Sequence, residues 1–547
     1  MSNLVKDYPN GPLGKGWNMY GLSFNPYLTD DVIRENPLGL PDFQGIIQPW
    51  HMSQLSSNRH LNFSLILNYP KGLPSPVVKN NPWDMRNLSC NPLLDFSLIR
   101  EFPQGLPNHE NVLIPWSMID LCRNPSLDFT LIREYIDGLP GSDGKLTPWC
   151  SETLSANPSL DFSLVEQYPQ GLPGDDNSWN ICMLSRNPRL NFEFVEKHLS
   201  GLPRKRKHES SDHNATRNVD TIEDVQTYEL NPWSIVSLGE NESLDFNFVR
   251  RHLAGLPSKK GKIKPWFMWT LCSNPNFDFS LIREFPQGLP GKNGEIEEWS
   301  VHSLCRNPSF DFSLLVQFPR GLPLFLLPHH LSEKVYPFQS WDVRGLSSNP
   351  SLPRELVRLN MYGVHYSRGV KLSDDVFDDI FDQEPNKETE ERPDDSTGIT
   401  EFDMWDLDFL SGNPSLDFSL VHEFPDGLVD DTGQVHHWNM IALSRNSNLD
   451  FSLVRKFPQG LIQRNGKRQP WFIRALNYHP LLDLSLVQKY CHGLPTDDGK
   501  TQKWNIEGLR LSCPLPQFVL DNSEGIAGQR WPEFTVCKNI APLSHYM

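Results

Sequence analysis

No apolar run in this chain is long enough to cross a bilayer. The longest, around Leu324 to Leu327, falls far short of the roughly 20 residues a spanning helix needs. Basic charge is also scarce: 50 Lys and Arg stand against 67 Asp and Glu, a formal charge of −17. That balance keeps a long chain soluble and argues against nucleic acid as a partner of the main surface. Cysteine is sparse and odd in number, nine in 547 residues. Cys122, Cys272 and Cys305 occupy a slot that Ser23, Ser56 and Ser89 fill elsewhere, so they read as small core residues and reduced thiols, not a framework of pairs. The first residues carry no charged-then-apolar leader, and an intracellular location is expected. Also missing are a Walker-type loop, a dinucleotide glycine fingerprint, a nucleophile elbow and paired Cys-x-x-Cys motifs. His329-His330 and His436-His437 lack the spaced partners a metal needs and read as surface histidines. No cofactor, metal site or catalytic constellation is expected.

Tryptophan and proline are abundant, and their order is informative. Trp17, Trp50, Trp83, Trp116 and Trp149 recur every 33 residues. So do Trp233, Trp266 and Trp299, and again Trp405, Trp438, Trp471 and Trp504; Trp179 and Trp341 join with short indels. Fourteen copies at a fixed period mean a solenoid, in which each repeat buries its apolar face against its neighbours. Most of the 47 prolines sit at fixed slots of this repeat.

Pro precedes Trp in Pro49, Pro82, Pro115 and Pro265, which predicts a first helix starting near each Trp with Pro in its first position. Met118, Leu121 and Cys122 then share one helical face and Trp116 lies on another. Asn-Pro, as in Asn124-Pro125, ends the helix. Asp128, Asp161 and their equivalents are predicted N-caps of a second helix, with Arg133 and Glu134 facing outward and Gly-Leu-Pro closing it. Connectors such as Asp143-Gly144 and Asp498-Gly499 favour tight, hairpin-like turns. The tryptophans of the series read as core and not as a base-stacking platform.

The expected organisation is a half-repeat cap over 1–16, repeats 1–6 over 17–203, and a basic and polar insertion over 204–230. Repeats 7–10 follow over 231–358, then an acidic insertion over 359–400, repeats 11–14 over 401–514, and a C-terminal cap or tail over 515–547. The first insertion opens with Arg204, Lys205, Arg206 and Lys207, which reads as a nuclear-import signal, an anion patch or a solvated loop tip. The second sets Phe377 and Phe381 among acids, either as a docking motif for a basic groove or as the eroded helix of a lost repeat. Pro353 in a cap slot suggests a bend in the stack.

The string Trp116-Ser117-Met118-Ile119-Asp120-Leu121-Cys122-Arg123-Asn124-Pro125 resembles the tandem repeats that giant DNA viruses encode in bulk. The resemblance implies a viral or virus-derived protein, acting in an infected cell or packaged in a particle. Asp143-Gly144-Lys145-Leu146-Thr147-Pro148 also resembles the finger and helix start of ankyrin repeats, which share the period, although the rest of the ankyrin consensus is absent. That resemblance implies that fingers and inner helices form the partner-binding face.

The expected fold is therefore all-α: a helix-turn-helix solenoid with short hairpin-like connectors. The expected function is non-enzymatic capture of a partner protein, as a host-directed adaptor. A structural part of a virus particle is the alternative, and an enzyme with its site in the tail or insertions a further one. The finger carrying Lys259, Lys260, Lys262 and Lys264 reads as a partner-binding patch or a solvated tip. Variable connectors on a constant scaffold are where recognition is expected.

Overall fold

Trp116 shows how one repeat is built. The chain leaves the short strand Leu113–Ile114 and passes Pro115 and Trp116. Ser117 then holds extended backbone as the N-cap, and the helix runs Met118–Arg123. The helix thus begins two residues after Trp. Pro115 lies outside it, between the strand Leu113–Ile114 and Trp116. The expected place of this proline in the first helical turn is corrected accordingly. Where the cap residue is Asn, Asp or Ser, its side chain generally accepts a first-turn amide, as Asp84 does from Asn87 and Asn180 from Met183.

Pro125 holds Asn124 in extended geometry, φ −63° and ψ 119°, and so ends this helix. The second helix, Phe129–Glu134, is capped by Asp128, whose carboxylate accepts the Thr130 amide. It stops at Tyr135, and the chain then reverses at Gly138, φ +111°. The strand Leu139–Pro140 pairs antiparallel with Leu146–Thr147 around a turn at Asp143-Gly144. Eleven such short strand pairs, ten of two residues and one of three, stand among the described residues, so most connectors are β-hairpins and the all-α expectation is too narrow.

The computed structural model describes residues 16–76, 81–204, 229–258, 261–292, 294–324, 338–361, 363–365, 402–463 and 466–505, with isolated residues 5, 10 and 509. The chain divides into two compact bodies, Met1–Phe267 and Met268–Met547. In each, consecutive first helices pack side by side, Met52–Ser56 on Met85–Ser89 in one and Met440–Arg445 on Ile473–Asn477 in the other. First helices approach one another more closely than second helices do.

Thirteen of the fourteen periodic tryptophans are buried, none above 5% exposed; Trp17 alone is half-buried. Each of the thirteen indoles donates from Nε1 to a carbonyl at the end of the preceding second helix, as Trp116 does to Phe102 at 2.8 Å and Trp438 to Phe424 at 2.7 Å. A ring so enclosed offers no face to a base.

Three further ladders run along the stack. Asn124 is fully buried; its Nδ2 donates to the carbonyls of Ser89 and Asn91 in the previous repeat, at 2.9 and 2.8 Å, and its Oδ1 accepts the Ser126 amide. Asn58, Asn91, Asn157, Asn307 and Asn446 repeat the pattern. The ladder bridges both insertions: Asn241 reaches Ser185 and Asn187, and Asn413 reaches Ser347 and Asn349. Near Pro353 the first helices Val343–Ser348 and Leu407–Gly412 still pack together.

The serine slot forms the second ladder. Ser89 Oγ accepts the amide of Ser117, the next repeat's cap, and donates to Met85. Cys122, Cys272 and Cys305 take the same place and accept the equivalent amides of Cys150, Ser300 and Asp342. Burial pushes the Cys122 and Cys272 thiols up to about 12 and Cys305 upward too, so all three stay protonated and unreactive.

Arg133 and Glu134 face outward as expected, and they also carry the third ladder. Arg133 bonds Asp161 and Ser163 of the next repeat, and Glu134 receives Arg100, which also holds Asp128 at 2.9 Å. Arg283, Arg358 and Arg455 do likewise. Burial alone would raise the carboxyls of Asp128, Asp161, Asp311, Asp417 and Asp450, but bonds from hydroxyls, amides and Arg or His outweigh it and hold them below the ordinary value. A carboxylate depressed on folding adds stability above its unfolded pKa of about 3.9 and loses it as pH falls through the lower folded pKa. Urea midpoints should therefore stay level from neutral pH to about pH 5 and fall below it. A midpoint that rises on acidification would contradict this ladder.

Gly138 and Gly144 give an internal contrast. A Cβ at Gly138 would sit 2.1 Å from the Thr147 carbonyl oxygen, whereas one at Gly144 meets nothing within 4 Å, although φ is +77°. Gly144→Ala should cost about 1 kcal/mol, as for a non-glycine residue in left-handed backbone. Gly138→Ala should cost about 2–3 kcal/mol, since strain and a parted strand pair add together. Thermal melts of the two variants check this, and equal costs would mean the close approach is absent.

Candidate functional site

The residue types that build the stack are constant from repeat to repeat, so they carry no information about a partner. Variation is concentrated in two places. One is the hairpin tip. The other is the free face of the first helix, three, four and seven residues after Trp. Those slots hold Tyr20 and Phe24 in one repeat, Ile119 and Arg123 in another, Trp269 in another, and Arg474 and Tyr478 in another. Their exposure is unusual for such side chains: Trp269 is 53% exposed and Tyr20 57%. Hairpin residues Phe43, Ile46, Val112 and Leu146 are exposed as well. Second helices expose fewer large apolar residues, among them Leu67, Val316 and Leu359.

In two places connector residues close a cleft against the start of a first helix. A cleft lined by Trp405, Asp406 and Asp408 at the start of a first helix is closed by His436, His437 and Gln463 of the following connectors. Another is lined by Asn18 and Met19 together with Asp42 and Phe43. The hairpin tips are stiffened from within. Asp430 accepts the Thr432 hydroxyl at 2.6 Å, is bonded by His436 at 2.8 Å and accepts the amides of Gln434 and Thr432, which together hold its carboxyl well below the usual range. His437 is bonded to the Asp426 carbonyl. Connector 172–178 has no strand pair; there the buried Asp175 accepts the Ser151 amide at 2.6 Å.

Of the basic finger, Lys262 and Lys264 are exposed, Lys264 opposite Leu256 in the strand pair. Lys259 and Lys260 lie outside the described residues, as do Phe377, Phe381, Lys205, Arg206 and Lys207. Arg204 ends the strand Leu202–Arg204, opposite Glu229. The half-repeat cap is described only at Val5, Asn10 and Gly16, and the tail 515–547 is outside the described residues. No group of metal-ligating side chains and no helix long and apolar enough to cross a membrane occurs among the described residues.

Sequence reasoning missed the aromatic and arginine content of the first-helix face. Arg344 lies over the Phe409 ring at 4.5 Å and Arg306 over the same ring at 5.7 Å, while Trp269 stacks on His302 at 5.2 Å. A slot-by-slot comparison of repeats would have found these residues as the positions that do not repeat. No protein-family model matches this chain, and no curated protein matches it.

Proposed function

We propose that this chain is a non-catalytic, protein-binding repeat scaffold that holds a partner on its hairpins and first helices. The observation that carries the reading is the division of labour between slots. Buried Trp, Asn and Ser join the repeats, and the exposed aromatic, apolar and arginine side chains beside them vary. Rigid scaffolds that carry variable protruding residues are binding surfaces. Exposed Trp, Tyr and Arg are the residue types that dominate interface energetics. The resemblance to giant-virus repeats supports an adaptor role in an infected cell, with the partner a protein of the host.

Affinity purification of the full chain from its native cell, followed by lysine-directed crosslinking, tests this. Crosslinks are expected at hairpin lysines such as Lys145, Lys262 and Lys264. Crosslinks confined to the second-helix lysines Lys197, Lys456 and Lys489 would place capture on the opposite face and overturn the proposal.

A further inference from the structure

The repeats serve as one another's control, and the one entered at Trp471 departs from the rest at neighbouring positions. Its cap slot, polar in most repeats and Phe also at Phe267, is Phe472, which makes no side-chain capping bond; what sets this repeat apart is the combination with the positions that follow. Its ladder position is His479, buried, with Nε2 bonded to the Asn446 carbonyl and the Leu481 amide bonded to Nδ1. Its free-face slots hold Arg474 and the exposed Tyr478. These changes converge. Phe472, Arg474 and Tyr478 line a cleft of about 430 Å³ with Arg445 of the preceding repeat, whose guanidinium lies over the Phe472 ring at 5.4 Å.

A protein gives up a local stabilising rule mainly where function requires it. Here a stabilising helix-cap side chain is exchanged for an aromatic platform under an arginine. The charge of the cleft is also out of character. Three other first-helix arginines meet an acid of the next repeat, Arg86 with Asp120 at 3.4 Å, Arg186 with Glu240, and Arg344 with Asp406 at 3.6 Å, while Arg306, like Arg445, lies over a ring. Among the described residues lining this cleft there are two arginines and no acid, on a chain of net charge −17.

We propose that the Arg445–Phe472–Arg474–Tyr478 cleft is a docking site for an acidic peptide segment of a partner protein. Carboxylates of the segment pair with the two guanidiniums, and an apolar or aromatic side chain beside them packs on Phe472 and Tyr478. Arginine offers planar, forked donors matched to carboxylates, and it keeps its charge while stacked on a ring. This inference rests on the binding-scaffold reading and assigns a chemistry to one stretch of that face.

The test uses the full chain and a short fluorescein-labelled peptide alternating Glu with Phe and Leu, a matched peptide with Gln for Glu, and a phosphoserine peptide without Glu. Fluorescence anisotropy should show saturable binding of the Glu peptide that weakens with salt, and at least tenfold weaker binding of the Gln peptide. R445E together with R474E should lower affinity at least tenfold. Phe472→Asn separates binding from folding, because it restores a capping side chain. Its melting temperature should hold or rise while peptide affinity falls several-fold. Equal binding of Glu and Gln peptides, affinity unchanged in these variants, or binding of the phosphoserine peptide alone would each overturn the proposal. Partner crosslinks at hairpin lysines alongside such a result would leave the scaffold reading standing and remove only this one.

Discussion

Asn124→Ala is expected to cost about 3–5 kcal/mol, although it deletes a small polar side chain and touches no ligand. The side chain is fully buried and makes three bonds at once, to the Ser89 and Asn91 carbonyls and from the Ser126 amide. Removing it leaves three backbone groups without their partner, and a buried unsatisfied group costs about 1–3 kcal/mol. Two of those groups belong to the previous repeat, so the loss falls on the interface and not on the helix alone. In an array that couples only nearest neighbours, damage stays local. Hydrogen exchange on the full chain should therefore show protection lost across the two repeats flanking Asn124, with distant repeats unchanged. Protection lost only within 118–123 would mean the asparagine acts as a local helix stop.

Trp116→Ala is the other large effect, about 3–5 kcal/mol from the cavity and the lost burial. It also strips the Phe102 carbonyl of its indole partner. Asp128→Ala should cost less: about 1 kcal/mol for the cap, plus the weakening of Arg100, which would keep Glu134 and Thr130. Chemical denaturation of the two variants should rank them clearly. Should Trp116→Ala leave stability intact and abolish partner capture, Trp116 would belong to the interface and not to the core.

The period, the helix pair and the second-helix caps were legible because each follows from local chemistry at fixed spacing. Asp128 three residues past Asn-Pro reads as a cap, and it is one. What escaped was everything that depends on which residue of the neighbouring repeat lies opposite. Asn124 had a sufficient local explanation in the Asn-Pro helix stop, so its bonds to residues 33 and 35 positions earlier were invisible. Arg133 could be read only as outward-facing, because its partner Asp161 stands 28 residues away in sequence. Pro115 before Trp116 matched a helix start, but the hairpin strand takes precedence there, and that strand is only two residues long. The hairpin turns were legible from Asp-Gly. Their short strands carry no alternating pattern to announce them.

The free face was half legible. Variable connectors could be seen by comparing repeats, but the facing of slots three, four and seven depends on how closely first helices pack. Only packing shows that Trp269, outside the periodic tryptophans, stands in solvent while Trp266 is buried.

The central claim is that constant slots fold the chain and variable slots on one face bind its partner. Hydrogen-exchange footprinting of the full chain, alone and with the partner recovered from its native cell, tests it most directly. The account predicts added protection in the hairpins and first helices, with second helices such as Phe129–Glu134 and Phe451–Lys456 unchanged. Added protection on the second helices, with hairpins and first helices unaffected, would contradict it.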